Sequence, residues 1–259
     1  TEYFKTTESL MIMNIAHYLD STYLKTPQQS GLSEEETLQK VKDLAQEAID
    51  HQIFAVMIRP DYVSKIKSFL NEKNSDVVVG TVIGFHEGTY SLEEKLAEAE
   101  KAINDGADEL DFVINYEAYL KGDLELVKDE FLKCTQLSIQ HHKIAKWIIE
   151  IAALTDFQIA NLTKNIAIWA EENFNEENLK KIFVKSSTGF FETKDGKPNG
   201  ATFEGIKIML DNAGKLPVKA AGGVRTPEDA EKMIKIGVKR IGTSSALALI
   251  KNESSSEGY

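Results

Sequence analysis
Apolar and polar positions along the chain fall into two alternating regimes: short runs rich in Val, Ile and Phe, and longer stretches with apolar residues at three- and four-residue spacing. The short runs predict strands over residues 16–20, 54–59, 77–84, 109–115, 145–152, 182–186, 218–222 and 239–243. Between them, stretches such as 34–51, 92–105 and 227–236 predict amphipathic helices. Ser33 before three glutamates, and Thr226-Pro227-Glu228-Asp229, read as helix starts: a capping hydroxyl, then acids or a proline in the first turn. Eight strand-helix units at roughly 30 residues each suit tight βα returns. A closed (β/α)8 barrel and an open doubly wound sheet both fit such an alternation. No GxGxxG follows the first strand, so the unit count decides for the barrel, as one α/β domain over residues 1–251 with a short N-terminal helix and a flexible tail at 252–259.

Composition narrows the function. With 30 Lys+Arg against 41 Asp+Glu in 259 residues, the net charge is −11, which argues against sequence-independent nucleic-acid binding. A phosphate must then be held by a few aimed donors. The one cysteine, Cys134, cannot form an internal disulfide, and with five scattered histidines it gives no metal-ligand spacing. No apolar run approaches the roughly 18 to 20 residues of a membrane helix, so a cytoplasmic protein without a membrane partner is expected.

In a barrel, reactive groups sit at the C-terminal ends of strands. Three charges stand inside apolar runs where Val or Ile would serve a purely structural barrel: Asp111, Lys185 and Lys219. Taken singly, each has an ordinary explanation, an outward stem or a buried ion pair. Together they can converge on one mouth. A free lysine amine is only about 0.04% neutral at pH 7. A neighbouring cation and partial burial that lowered its pKa by about three would leave about half of it able to attack a carbonyl and form a Schiff base. Asp111 is placed to pass a proton through water.

Ser186-Ser187-Thr188-Gly189, Gly222-Gly223-Val224-Arg225 and Gly242-Thr243-Ser244-Ser245 follow strands 6, 7 and 8. Each alone reads as a turn, but three at successive strand ends read as an anion cradle of backbone amides and a helix start. Asp20 and Thr22 end strand 1 and are expected at the mouth. For Glu150, a buried structural partner and a site residue stay open. His86 reads as a loop residue, His141-His142 as a helix end, and Trp147 and Trp169 as packing.

Four segments resemble the deoxyribose-phosphate aldolases, Schiff-base enzymes on a (β/α)8 barrel: Leu19-Asp20-Ser21-Thr22, Gly106 to Asn115, Phe183 to Phe190, and Lys219 to Thr226. The resemblance spans roughly residues 19–249. It implies that Lys185 forms the imine, that Lys219 depresses its pKa and exchanges protons, and that Asp111 works with an ordered water. Substrate is then held by Asp20, Thr22 and Thr188, and its phosphate by Gly189, Gly222, Gly223, Ser244 and Ser245. No metal or organic cofactor is implied. The implied substrates are a small phosphorylated sugar and acetaldehyde, with a homo-oligomer, a dimer first, as the expected assembly. Some members end in a tyrosine that reaches the active site, as Tyr259 would here; eight extended residues span roughly 26 Å. The chain departs from the family at Met57, where many members carry a cysteine, and at Arg59 and His86. A different phosphosugar-binding barrel enzyme and a non-catalytic relative are the competing readings.

Overall fold
The computed structural model describes residues 14–251. Eight parallel strands close on themselves in sequence order: β1 Leu19–Tyr23, β2 Ala55–Ile58, β3 Val78–Ile83, β4 Glu109–Val113, β5 Ile144–Ile148, β6 Ile182–Lys185, β7 Val218–Ala221 and β8 Arg240–Thr243. Returning helices follow: α1 Glu34–Asp50, α2 Val63–Glu72, α3 Leu92–Asn104, α4 Leu124–Gln140, α5 Asp156–Asn173, α6 Phe203–Asn212, α7 Pro227–Lys235 and α8 Ala246–Ile250. The chain is thus the expected (β/α)8 barrel.

The caps form as read. Ser33 accepts from the Glu36 N–H while Glu36 reaches back to the Ser33 N–H, and Thr226 accepts from the Asp229 N–H ahead of Pro227 at the first helical position.

Two strands depart from their expected ranges by three residues or more. The first strand starts at Leu19, because Ile15–Tyr18 form a 3-10 turn, and it runs on through Asp20, Ser21 and Thr22. Polar residues that read as a strand end are in fact strand interior, paired with Ala55, Val56 and Met57. The fifth strand stops at Ile148, since Glu150 adopts a left-handed φ of 59° and turns the chain into a short 3-10 segment at Ile151–Ala153. The N-terminal helix expected before the barrel lies, up to Met13, outside the described residues, as do the tail 252–259 and Tyr259.

Strand residues alternate between two very different environments. Outward side chains make the apolar layer under the helices: Phe112 stacks on Trp147 at 4.8 Å, Phe131 of α4 tilts against Trp147 at 5.4 Å, and the Trp147 indole N–H donates to Thr135. Trp147 and Trp169 are buried packing residues, as expected. Inward side chains do something else.

Candidate active site
Cα partners in adjacent parallel strands face the same side, as do residues two apart along one strand. Following the register from Asp20 to Gly242 in β8 and Ala55 in β2, then Thr22–Met57–Gly80–Glu109, Asp111–Lys146 and Ile148–Lys185–Lys219–Arg240, puts all of these on the inward face. Small residues beside the long ones make the arrangement possible. A Cβ on Gly80 would come within 2.4 Å of the Met57 methyl, so the glycine is what lets Met57 lie inside the barrel.

The interior holds a continuous column of charge. At its lower end Arg240 donates through Nε to Asp20 at 2.8 Å and through Nη1 and Nη2 to Glu109 at 2.9 and 2.8 Å, with a further Nη2 bond to Asp20. Its guanidinium sits 4.2 Å over the Phe54 ring. Lys146 reaches Glu109 at 2.6 Å, Asp111 at 2.9 Å and Asp20 at 3.2 Å. Lys219 bridges Asp20 at 2.6 Å and Asp111 at 2.9 Å, and Lys185, among the described residues, meets Asp111 alone, at 2.9 Å. All seven side chains are buried.

The electrostatics separate the two candidate lysines. Burial pulls the Lys185 amine down to about 7, and the neighbouring Lys219 and Lys146 cations push the same way, against Asp111. Lys219 is equally buried, but Asp111 and Asp20 hold it above the ordinary lysine value. For both carboxylates burial favours the neutral form and loses: Lys146, Lys185 and Lys219 keep Asp111 well below the usual range, and Arg240, Lys146 and Lys219 do so for Asp20. One amine is therefore poised to be neutral near pH 7 beside another that stays charged, which is what nucleophilic attack on a carbonyl followed by proton transfer requires.

Asp111, Lys185 and Lys219 are thus brought together as expected. Asp20 is not at the mouth. It lies deeper, its carboxylate taken up by Arg240, Lys146 and Lys219. Thr22 bonds the Asp20 carbonyl at 2.9 Å and, with Tyr23, Lys25, Lys40, Phe190 and Ser244, lines a cavity of about 360 Å³.

Thr188 packs into the mouth wall: its hydroxyl donates to Glu150 at 2.5 Å and its N–H to the same carboxylate at 3.3 Å, while the Phe190 N–H donates to its hydroxyl at 3.0 Å. Burial pushes Glu150 up to about 7 despite those bonds. Gly189, Gly222 and Gly223 all hold left-handed φ angles, 80°, 70° and 73°. At Gly223 a Cβ would also strike the Ala201 carbonyl at 2.2 Å, so the strand 7 loop leans directly on the loop that follows strand 6. Ser244 and Ser245 open α8, with the Ser245 N–H on the Thr243 hydroxyl at 3.0 Å.

The departures find places too. Arg59 leaves the mouth to tie loops together, donating to the Leu24 carbonyl at 2.7 Å and lying 4.8 Å over Phe85. His86 stacks on Phe190 at 5.6 Å, joining the loops after β3 and β6.

Sequence reasoning missed Lys146, Glu109 and Arg240. Their signal, a charge within an apolar strand run, is the one that picked out Asp111 and the two lysines.

Among the described residues no helix is long and apolar enough to cross a membrane. A family model described as DeoC/LacD family aldolase matches residues 15–251. Deoxyribose-phosphate aldolases of Thermococcus kodakarensis and Caldicellulosiruptor saccharolyticus are 38% and 36% identical, over 92% of this chain in each case and 96% and 98% of theirs. Among solved structures, a putative deoxyribose-phosphate aldolase of Coccidioides immitis superposes with a TM-score of 0.75 at 30% identity over 92% of this chain and 85% of that one. The Aeropyrum pernix deoxyribose phosphate aldolase, described as a unique tetramer, gives 0.74 at 29% over 92% and 89%.

Proposed function
Since the chain belongs to the DeoC/LacD family of aldolases, we propose that it cleaves 2-deoxy-D-ribose 5-phosphate reversibly to D-glyceraldehyde 3-phosphate and acetaldehyde through an imine on Lys185. The neutral Lys185 amine adds to the C1 aldehyde, and loss of water gives the iminium. Its positive nitrogen draws the electron pair of the C2–C3 bond as that bond breaks and the C3 hydroxyl proton leaves. Glyceraldehyde 3-phosphate departs, the remaining enamine takes a proton at C2, and hydrolysis releases acetaldehyde and the free amine. Lys219, charged and 2.9 Å from Asp111, is the proton source and sink, and Asp111 orients both amines. The left-handed glycines at 189, 222 and 223 and the start of α8 at Ser244 and Ser245 receive the phosphate. Asp20 acts from below, by keeping Lys219 charged. Tyr259 is assigned a gated proton-transfer role, and an unchanged rate of proton exchange at the donor carbon after its deletion would remove that role.

The single observation that carries this reading is the pair of amines sharing one Asp111 oxygen, Lys185 with no other carboxylate among the described residues and Lys219 with a second. Borohydride reduction in the presence of substrate, with mapping of the labelled peptide, tests it. Irreversible labelling at Lys185 is expected; its absence, or full cleavage activity in Lys185→Ala, overturns the assignment. We carry forward a cytoplasmic location and a homodimer, the latter read by sedimentation.

A further inference from the structure
Among the described residues the barrel column contains an odd number of charges. Four cations, Arg240, Lys146, Lys219 and Lys185, face three carboxylates, Asp20, Glu109 and Asp111, and the whole set is buried. A buried cluster with one uncompensated charge is costly, and giving up one proton removes the imbalance. The connectivity says which group gives it up. Lys146 touches three carboxylates, Lys219 two, and Arg240 spends four hydrogen bonds on two. Lys185 touches one, and that one is shared with both other lysines. It stands at the end of the column, opposite Arg240.

We propose that Arg240 and Glu109, which close the lower end of the barrel and reach no substrate, are positioning residues that set the protonation of Lys185 through the charge count of the column. Arg240 occupies both acids at the bottom with a charge that cannot be surrendered. The protons of the column are therefore settled among the lysines above it. Glu109 is the one carboxylate of the three that touches neither Lys185 nor Lys219; it contributes to the count by holding Lys146 and Arg240. The inference rests on Lys185 being the imine-forming residue.

The groups facing Lys185 are Asp111 from β4, Lys146 from β5, Lys219 from β7 and the Glu150 carboxylate beyond β5. Glu150 is engaged by Thr188, so the remaining balance lies with the column. A unit charge roughly 10 Å away at an effective dielectric of about 20 changes a protonation equilibrium about tenfold, enough to be read kinetically.

The two lower residues must act in opposite directions. Arg240→Met leaves three cations and three carboxylates with Lys185 protonated, so its ammonium is retained to higher pH. Glu109→Gln leaves four cations and two carboxylates, so the amine is released at lower pH. The measurement is the single-turnover rate of borohydride-trapped adduct formation at Lys185 with 2-deoxyribose 5-phosphate, as a function of pH. Arg240→Met should move the midpoint of the profile upward, lowering the rate about fivefold at pH 7 while leaving it near the native value once the amine is fully deprotonated. Glu109→Gln should move it downward and raise the rate severalfold at pH 6. Arg240→Lys, which keeps the charge and loses the fork, should keep the native midpoint.

Midpoints that stay put in both neutralised variants, or move in the same direction, overturn the proposal, as does an Arg240→Lys midpoint displaced as far as that of Arg240→Met. If Arg240→Met does not fold, the near-isosteric Glu109→Gln decides alone: a downward midpoint supports the proposal and a fixed or upward one ends it. Absence of any Lys185 adduct in the native protein strikes instead at the imine assignment, so the two failures are told apart.

Discussion

Two buried ion clusters, one inside the barrel and one between helices, differ in how their buried lysines are balanced by charge. Lys95 of α3 is fully buried. Its ammonium donates to the Gly88 and Val113 carbonyls, each at 2.8 Å, and to Glu130 of α4 at 2.5 Å, while Glu130 also accepts the Asn115 N–H at 2.6 Å. One cation meets one anion, and every proton has an acceptor. This cluster fastens the loop after β3 to the end of β4. The column in the barrel has a surplus cation at its open end. What separates the fastener from the proposed nucleophile is the balance of charge and the number of acceptors per amine.

The strongest way to break that contrast is to remove one lysine from each cluster. Lys185→Met should cost at least roughly a thousandfold in cleavage rate, yet the urea midpoint should hold or rise, because the surplus charge has gone. Lys95→Met should do the reverse: the rate per folded molecule persists, and stability falls by about 3 to 5 kcal/mol because Glu130 is left buried without its partner. The double variant Lys95→Met with Glu130→Leu should recover much of that loss. Equal destabilisation by the two single variants would erase the distinction.

A smaller effect sharpens it at Glu150, a buried carboxylate hydrogen-bonded by Thr188 and, among the described residues, without a salt bridge. Its pKa is raised from 4.5 to about 7, so the folded state favours the protonated form: the stability it lends is full below pH 4.5 and is lost as pH rises through 7. Glu150→Gln should therefore match the native urea midpoint near pH 4.5 and exceed it at pH 8, by up to about 3 kcal/mol. A gain of the same size at both pH values would show that ionisation of Glu150 costs nothing.

The smallest expected effect is a null one. Cys134 is buried, and burial together with Glu130 pushes its thiol up to about 12, while Met57 puts a thioether inside the barrel. Native protein held in concentrated acetaldehyde should show no thiol adduct by mass spectrometry and no thiol-linked inactivation, whereas the urea-unfolded chain should react at Cys134.

The barrel was legible in the alternation of runs and in caps such as Ser33 and Thr226, because both are local properties of the chain. Asp111, Lys185 and Lys219 were legible as charges in apolar runs. Lys146 and Arg240 carry the same mark, but their roles exist only once β8 pairs with β1 and the register brings side chains 35 to 220 positions apart into contact. The same closure explains Asp20: a polar residue at the end of a predicted run reads as a rim, yet the observed strand continues past it and in the closed barrel it is an interior rung. Glu150 and Thr188 meet across 38 positions through a left-handed backbone turn that no periodicity announces.

A barrel usually fills its lumen with branched hydrocarbon, and this one fills much of it with ions. The two kinds of interior respond differently to heat. Hydration of charged groups becomes less favourable as temperature rises, so the penalty for keeping the column dry shrinks, while the gain from burying hydrocarbon levels off. Warming should therefore weaken the apolar layer under the helices before it weakens the ionic lumen, leaving the proposed catalytic centre as the last part of the molecule to loosen.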